Sequence, residues 1–519
     1  IDSGFLLAPR TSRIDILDDE QPVPDPVRPP LVSDFDVSTE IVAPGLSQPI
    51  AFEFAPNDPS RMYIAEKGGV IKVYDLDTGT FVNTFVDISG KVNNVQDRGL
   101  MDIELPPDFG PSNPYLYAFY VVDPPQTEGR TDFAKPDGQG NRFAYTVRFE
   151  ADPASGYTKA IPGSEQILVG AAGQNLSDIS GGGSLDFTNP LYANNRASDV
   201  DPDTGDYIQD YIKVDSRSHA GGSLEFGPDG ALYVSIGDGP SFNYADPHSV
   251  SVQDLDSLAG KILRIDPETG RGFNDNPFWE AGLSLDSNQA KVYQLGLRNP
   301  FAMTFDENGQ LFIGNTGWNS WEAIFAGEPG ANFGWPYYEG GDNGVLLRTP
   351  VYENFPEATA FYNAVAQGTE NGNIQPAYRG FAHADAEPGF QVQGIVGANS
   401  VYTGTVYPSE IQNDFFFTDV SEGEVYSVDT NDRREVKFLY QAPQGSVPVH
   451  FKEGPDGYMY YADLTRGVVG RYLFAGSTPS DQNPNYVISG SAGYNAAMNE
   501  FTLTPNAALQ VGGAMSVNR

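Results

Sequence analysis

His219 and Asp238 bracket the segment His219-Ala-Gly-Gly-Ser-Leu-Glu-Phe-Gly-Pro-Asp-Gly-Ala-Leu-Tyr-Val-Ser-Ile-Gly-Asp238. The 519 residues contain only 4 histidines, so few places are open to imidazole chemistry. A histidine is the side chain best suited to take a proton near neutral pH. A carboxylate beside it fixes the tautomer and raises the basicity of the ring. Pro-Asp-Gly between two apolar runs predicts a hairpin, which returns the chain to its starting side and makes His219 and Asp238 candidate neighbours. Without that pairing, Asp238 is a turn cap and His219 an ordinary loop residue. Arg298 and Asn299, in Leu297-Arg-Asn-Pro-Phe301, stand together at a strand end stopped by Pro300. They suit an anionic or carbonyl-rich ligand, although an Arg in so acidic a chain also suits a nearby carboxylate. Asp199, Asp201 and Asp203, in Asp199-Val-Asp-Pro-Asp-Thr-Gly-Asp206, alternate like the oxygen ligands of a Ca²⁺ loop but lack a closing Glu. Trp318, Trp321, Trp335, Tyr337 and Tyr338 can stack on sugars or pack a loop.

The elements that would position these residues repeat one theme. Phe226-Gly-Pro-Asp-Gly-Ala-Leu-Tyr233 recurs as Phe305-Asp-Glu-Asn-Gly-Gln-Leu-Phe312, as Glu453-Gly-Pro-Asp-Gly-Tyr-Met-Tyr460, and more loosely over Phe54 to Tyr63. A second kind of strand recurs as Gly69-Val-Ile-Lys-Val-Tyr-Asp75, Gly260-Lys-Ile-Leu-Arg-Ile-Asp266, Gly423-Glu-Val-Tyr-Ser-Val-Asp429 and Gly467-Val-Val-Gly-Arg-Tyr-Leu473. The spacing is irregular, which disfavours a solenoid. Irregular four-stranded units predict an all-β fold, a six-bladed β-propeller with long loops over residues 40–475; unrelated β-sandwiches are the other reading. Short β segments flank it. Residues 1–20 resemble the closing strand of a Calx-β-type sandwich, and 21–39 form a proline-rich linker. Residues 476–519 read as a linker followed by strands at Asn485–Gly490 and Glu500–Pro505, similar to the opening of a legume-lectin-like sandwich, which suggests further domains of the same polypeptide.

Composition narrows the functions. Lys plus Arg is 30 and Asp plus Glu is 69, a net charge of −39, which repels polyphosphate and excludes nucleic acid as a natural partner. There is no cysteine, hence no disulfide, thiolate metal site or cysteine nucleophile. No apolar run is long enough for a transmembrane helix.

Several motifs together resemble the glucose/sorbosone dehydrogenase family. They are Asp97-Arg-Gly-Leu-Met-Asp-Ile-Glu-Leu-Pro-Pro-Asp-Phe109, the His219–Asp238 block, Leu258-Ala-Gly-Lys-Ile-Leu-Arg-Ile-Asp266, Leu295-Gly-Leu-Arg-Asn-Pro300, Asn319-Ser-Trp-Glu322 and Asn332-Phe-Gly-Trp-Pro336. The resemblance implies a six-bladed propeller that holds pyrroloquinoline quinone (PQQ) and calcium and oxidises a sugar hydroxyl outside the cytoplasm, secreted or periplasmic. It implies His219 as base, Asp238 as its support, and Arg298 as a catalytic and cofactor-binding residue. Asn299, Asp97 and Thr316 would also line the cofactor, and carbonyls of the turn at Gly317 and Trp318 would bind Ca²⁺. The expected partner is a sugar or polysaccharide.

The chain departs from the family pattern at the cofactor's anchors. Asp97 and Thr316 each stand where the quinoprotein enzymes carry Gln. The Lys expected in the fifth blade falls on Ser421. Two expected Arg are absent from Ser446-Val-Pro-Val-His-Phe451, where His450 is the nearest cationic candidate. At about 1.5–3 kcal/mol for each charge-assisted contact, these losses weaken tricarboxylate binding by several kcal/mol. Two readings follow: a PQQ- and calcium-dependent aldose dehydrogenase, or a non-catalytic carbohydrate-binding or adhesive propeller. A lactonase-type hydrolase is a third.

Overall fold

The computed structural model describes residues 33–475, apart from 34, 133, 176–196, 241–244, 342–343, 370–372 and 384–391, together with strands 490–495 and 500–505. Residues 1–32, 476–489, 496–499 and 506–519 lie outside the described residues, and with them the expected Calx-β-type strand and most of both expected linkers. Strands dominate. Six small antiparallel-based sheets stand in a ring, and the inner strand of each packs against those of its two neighbours. The fold is a six-bladed β-propeller. From blade 1 to blade 6 the inner strands are Pro49–Ala55, Leu100–Glu104, Gly221–Phe226, Asn299–Phe305, Ile395–Val401 and Pro448–Glu453. Blade 6 is closed by Val37–Ala43, which pairs antiparallel with Val468–Phe474 and so ties the start of the propeller to its end. The recurring Pro/Asp/Gly turns join the first and second strands of blades 1, 3, 4 and 6, as the hairpin pattern predicts.

The Glu500–Pro505 strand stands where the sequence places it. It pairs antiparallel with Gly490–Asn495; residues 485–489 of the strand expected at Asn485–Gly490 lie outside the described residues.

Alternation along the strands buries large aromatic and aliphatic faces between blades, for example Tyr117, Phe119, Ile103 and Leu224. All six inner strands carry a register shift near their start: at Pro49/Ala51, Leu100/Asp102, Gly221/Leu224, Pro300/Ala302, Val396/Ser400 and Pro448/His450. Such bulges turn side chains out of the ladder. Here they do so at one mouth of the central channel, where the turns between second and third strands also lie. At the far end, inner-strand residues Glu53, Glu104 and Glu225 surround Lys452, whose Nζ is 2.6 Å from Glu53 and 3.4 Å from Glu104.

Candidate functional site

His219 ends the loop that feeds the inner strand of blade 3, and Asp238 follows the second strand of that blade. The hairpin brings them together: Nδ1 of His219 lies 2.9 Å from Oδ1 of Asp238. The other carboxylate oxygen accepts from the Trp335 indole at 2.8 Å and from Ser249 at 3.4 Å. Asp238 is 1% exposed and His219 2%. With Asp238 accepting at Nδ1, that nitrogen carries the ring proton and Nε2 is the basic one.

His219 has φ +57°, a left-handed conformation that costs a non-glycine residue about 1 kcal/mol. Its surroundings hold it there. Asp97 accepts the His219 backbone N–H at 3.4 Å. A Cβ on Gly237 would lie 2.0 Å from the His219 carbonyl oxygen, so only glycine lets the two strands approach so closely. Arg98, fully buried, donates to the carbonyls of Ser216 at 2.9 Å and Val214 at 3.0 Å, and Asp97 N–H donates to Arg217 O. The Asp97-Arg98 pair thus straps down the loop that delivers the histidine. The carboxylate of Asp97 acts on His219 itself, a positioning role that its motif alone did not reveal.

Arg298 enters from blade 4. Its backbone carbonyl accepts from Asp238 N–H at 2.7 Å, linking it to the histidine's partner. Its guanidinium donates to the carbonyl oxygens of Thr316, at 3.3 Å, and Gly317, and lies 5.7 Å from the Trp335 ring. Asn299 spends its Oδ1 on the N–H of Gly221, which fixes the amide orientation. Its Nδ2 is buried without a hydrogen-bond partner among the described residues, a donor held ready for a ligand oxygen. The Thr316 hydroxyl donates to Ile395 O in blade 5 at 3.0 Å, so that side chain bridges blades while its carbonyl faces Arg298.

Two buried acids that sequence reasoning passed over shape the turn after Thr316. Both oxygens of Glu322 accept the Gly317 N–H at 3.1 Å, and His383 Nε2 lies 3.1 Å from Oε1. One oxygen of Glu339 accepts four successive backbone N–H groups, from Trp318, Asn319, Ser320 and Trp321, at 2.9, 2.7, 2.8 and 3.3 Å. The N–H and C=O of one peptide point in opposite directions. Tying back these N–H groups therefore turns the carbonyls of Thr316, Gly317 and Trp318 away from the acids. Two of them already converge on a cationic guanidinium, which is the chemistry a hard cation requires. Ca²⁺ on these carbonyls would share them with Arg298 or displace it.

The aspartate-rich loop is arranged differently. Asp199 is drawn inward, 3.4 Å from Lys213 Nζ and accepting from Ser257 at 2.7 Å. Asp201 accepts the backbone N–H groups of Asp203 and Thr204 and closes its own turn. The structure does not bring the three carboxylates together, and among the described residues no group of three or more His, Asp or Glu is placed to hold a metal. Trp318, Trp335 and Tyr352 pack edge to face with centroids 5.3–6.2 Å apart, beneath rather than on the mouth surface. His450 packs at 4.9 Å on Phe52 in the core between blades 6 and 1; burial, and then Lys452, push its imidazole down to about 3. It offers no cation to the mouth.

On the side of blades 1, 2, 5 and 6 the mouth deepens into a cavity of about 700 Å³, with Lys67, Gln48, Asn94, Gln96, Ser421 and Ser446 in its wall.

The model of the Glucose / Sorbosone dehydrogenase family matches residues 202–467, just over half of the chain. The chain belongs to this family. Among curated relatives, Aldose sugar dehydrogenase YliI of Escherichia coli is 24% identical over 439 residues, covering 82% of this chain and 89% of that protein. HIPL1 protein of Arabidopsis thaliana is 28% identical over 223 residues, 37% of this chain and 30% of that protein. The chain spans 30% and 40% of the lengths of the two plant HIPL relatives it matches. The solved apo-form of the soluble aldose sugar dehydrogenase from Escherichia coli covers 86% of this chain and all of that one, at 18% identity and a TM-score of 0.55. At that identity the likeness supports the propeller fold.

Proposed function

We propose that this propeller is a PQQ- and calcium-dependent sugar dehydrogenase that acts outside the cytoplasm on the hydroxyl of an aldose or related saccharide. The observation that carries this reading is the buried His219–Asp238 pair, built beside Arg298 and the donor of Asn299 at one mouth of the channel. The family membership and the relative named as an aldose sugar dehydrogenase support it.

The chain's own residues divide the work. Asp238 holds His219 in the tautomer whose Nε2 is basic, and that nitrogen takes the proton of the sugar hydroxyl. Trp335 and Ser249 hold Asp238 in turn and keep water from its carboxylate. Arg298 would place positive charge beside a bound acceptor, and Asn299 Nδ2 would donate to an oxygen of the ligand. The carbonyls of Thr316, Gly317 and Trp318 would hold Ca²⁺, and Lys67 with the cavity amides would face the carboxylates of PQQ. PQQ, when bound, supplies the two-electron acceptor for the hydride leaving the sugar carbon.

A second reading is favoured by the wall of the cavity. Ser421 lies where the family resemblance expects Lys, and Ser446 opens the stretch that lacks the expected Arg residues, beside the amides of Gln48, Asn94 and Gln96. Such a wall suits a saccharide held without chemistry. Titrating the chain with PQQ and Ca²⁺, then assaying dye reduction with a panel of aldoses, separates the two. Saturable PQQ binding with aldose-dependent reduction supports the dehydrogenase. Saccharide binding without PQQ binding supports the adhesive module.

A further inference from the structure

The turns between second and third strands all project into the same mouth. In blade 4 this turn carries Gly317 and Trp318, and in blade 5 it carries Ser421. In blade 1 it follows Asp58–Glu66 and precedes Val70–Asp75, and it carries Lys67. Lys67 is thus the blade 1 counterpart of Ser421, and both line the cavity. Its side chain is only 2% exposed, and its Nζ spends one N–H on Asn94 Oδ1 at 2.6 Å. An ammonium carries three donors, so two remain for other acceptors at the cavity wall.

The backbone is built around this lysine. Its carbonyl accepts from Leu100 N–H and its N–H donates to Gln48 O, at 2.8 and 2.9 Å. A Cβ on Gly99 would lie 2.6 Å from the Lys67 Cγ, so the glycine of Asp97-Arg-Gly-Leu leaves the channel for the lysine stem. The same strap joins the two halves of the mouth: Gln96 lines the cavity, and Asp97 holds the backbone of His219.

We infer that Lys67 is the cationic anchor of a carboxylate-binding subsite in this cavity, taking over from blade 1 the charge that blades 5 and 6 do not provide. The carboxylate class follows from a buried ammonium set among side-chain amides. Its assignment to a carboxylate of PQQ rests on the dehydrogenase reading. Burial lowers the ammonium to about 8, while Asp97 and Asp137 pull the other way, so it is charged at neutral pH. Asp137 is itself occupied by Asn94 N–H at 2.6 Å, and the other acid at the cavity, Glu422, lies at the exposed rim.

The test is isothermal titration calorimetry of the full chain at pH 7 with two probes, PQQ plus Ca²⁺ and benzene-1,3,5-tricarboxylate alone. Lys67→Met is expected to weaken either probe that the native chain binds by about 10- to 100-fold, and Lys67→Arg to keep most of the affinity. Ser421→Lys, on a half-buried turn, adds a second cation across the same cavity and is expected to tighten binding about tenfold; it serves if the Lys67 variants fail to fold. Binding of the tricarboxylate through Lys67 without PQQ binding supports the subsite and removes the cofactor reading. PQQ binding unchanged in Lys67→Met overturns the subsite and leaves the cofactor reading standing. Binding of neither probe to the native chain, or no tightening in folded Ser421→Lys, also overturns it.

Discussion

Blades 3 and 4 and blades 5 and 6 share a single mouth, and they are furnished differently. On the first side, buried groups are locked in sets: His219 with Asp238, Asp238 with Trp335 and Ser249, Arg298 with the carbonyls of Thr316 and Gly317, and the following turn with Glu322 and Glu339. On the second side stand small hydroxyls. Ser421 caps its own turn on Asp419, and Ser446 donates to Asp463. Proton transfer needs atoms fixed within tenths of an ångström, whereas anchoring a charged ligand needs charge within reach. The first demand shows as a dense local network. The second can be met from another blade, and here Lys67 meets it. The difference between the halves is therefore one of task, and each half can be broken separately.

The largest expected effect is on the built side. Asp238→Asn leaves the shape but lets the ring adopt the other tautomer; aldose-dependent dye reduction should fall by about 10³–10⁴ in kcat, with PQQ affinity little changed. A loss confined to KM would show that the pair serves binding. Next is the turn. Glu339→Gln takes away the charged acceptor of four backbone N–H groups, and unfolding in urea should show a loss of about 2–4 kcal/mol. Ca²⁺ titration should weaken in parallel. Unchanged calcium affinity in the folded variant would separate the turn from the metal.

On the open side the effects are smaller and concern affinity. PQQ binding by the native chain should decline as pH rises through about 8, where Lys67 loses its proton, and Lys67→Arg should abolish that decline. A flat profile in the native chain would remove Lys67 from the anchor.

The smallest effect lies at the far end of the channel and serves as a control for both halves. Burial, with Glu104 and Asp102 adding and Lys452 opposing, raises Glu225 to about 8. The folded chain keeps a proton there that the unfolded chain gives up near 4.5. Stability from this group is therefore full below that value and lost as pH rises to about 8. Glu225→Gln should flatten the fall, stabilising the chain at pH 8 by about 1–2 kcal/mol after allowance for solvent in the channel. Urea midpoints at pH 5 and pH 8 check this, and dye reduction should not change.

The propeller was legible because its turns demand particular residues. Pro, Asp, Asn and Gly recur wherever an inner strand must fold back, and they do so in blades 1, 3, 4 and 6. The His219–Asp238 contact was legible for the same reason, since one hairpin sets it. Contacts between blades were not. Trp335 reaches Asp238 across 97 positions of sequence, and nothing local marks it. Glu339 was hidden by abundance among 69 acids, and Glu322, although it closes the Asn319-Ser-Trp-Glu322 motif, carried no sign that it accepts a backbone N–H. The aspartate-rich loop shows the converse. Its alternation suits calcium, but Lys213 and the loop's own N–H groups claim the oxygens. Lys67 was missed because it looks like any lysine in a strand turn; its burial and the gap left by Gly99 appear only in three dimensions.

Proton abstraction from a sugar is the role proposed for the built half of the mouth. It is tested most directly by aldose-dependent dye reduction in the native chain and in His219→Ala, both loaded with PQQ and Ca²⁺ and matched for bound PQQ. Turnover is expected in the native chain, with a fall of about 10²–10⁴ in the variant. Equal turnover in the two, or none in a native chain that has bound PQQ, would contradict it.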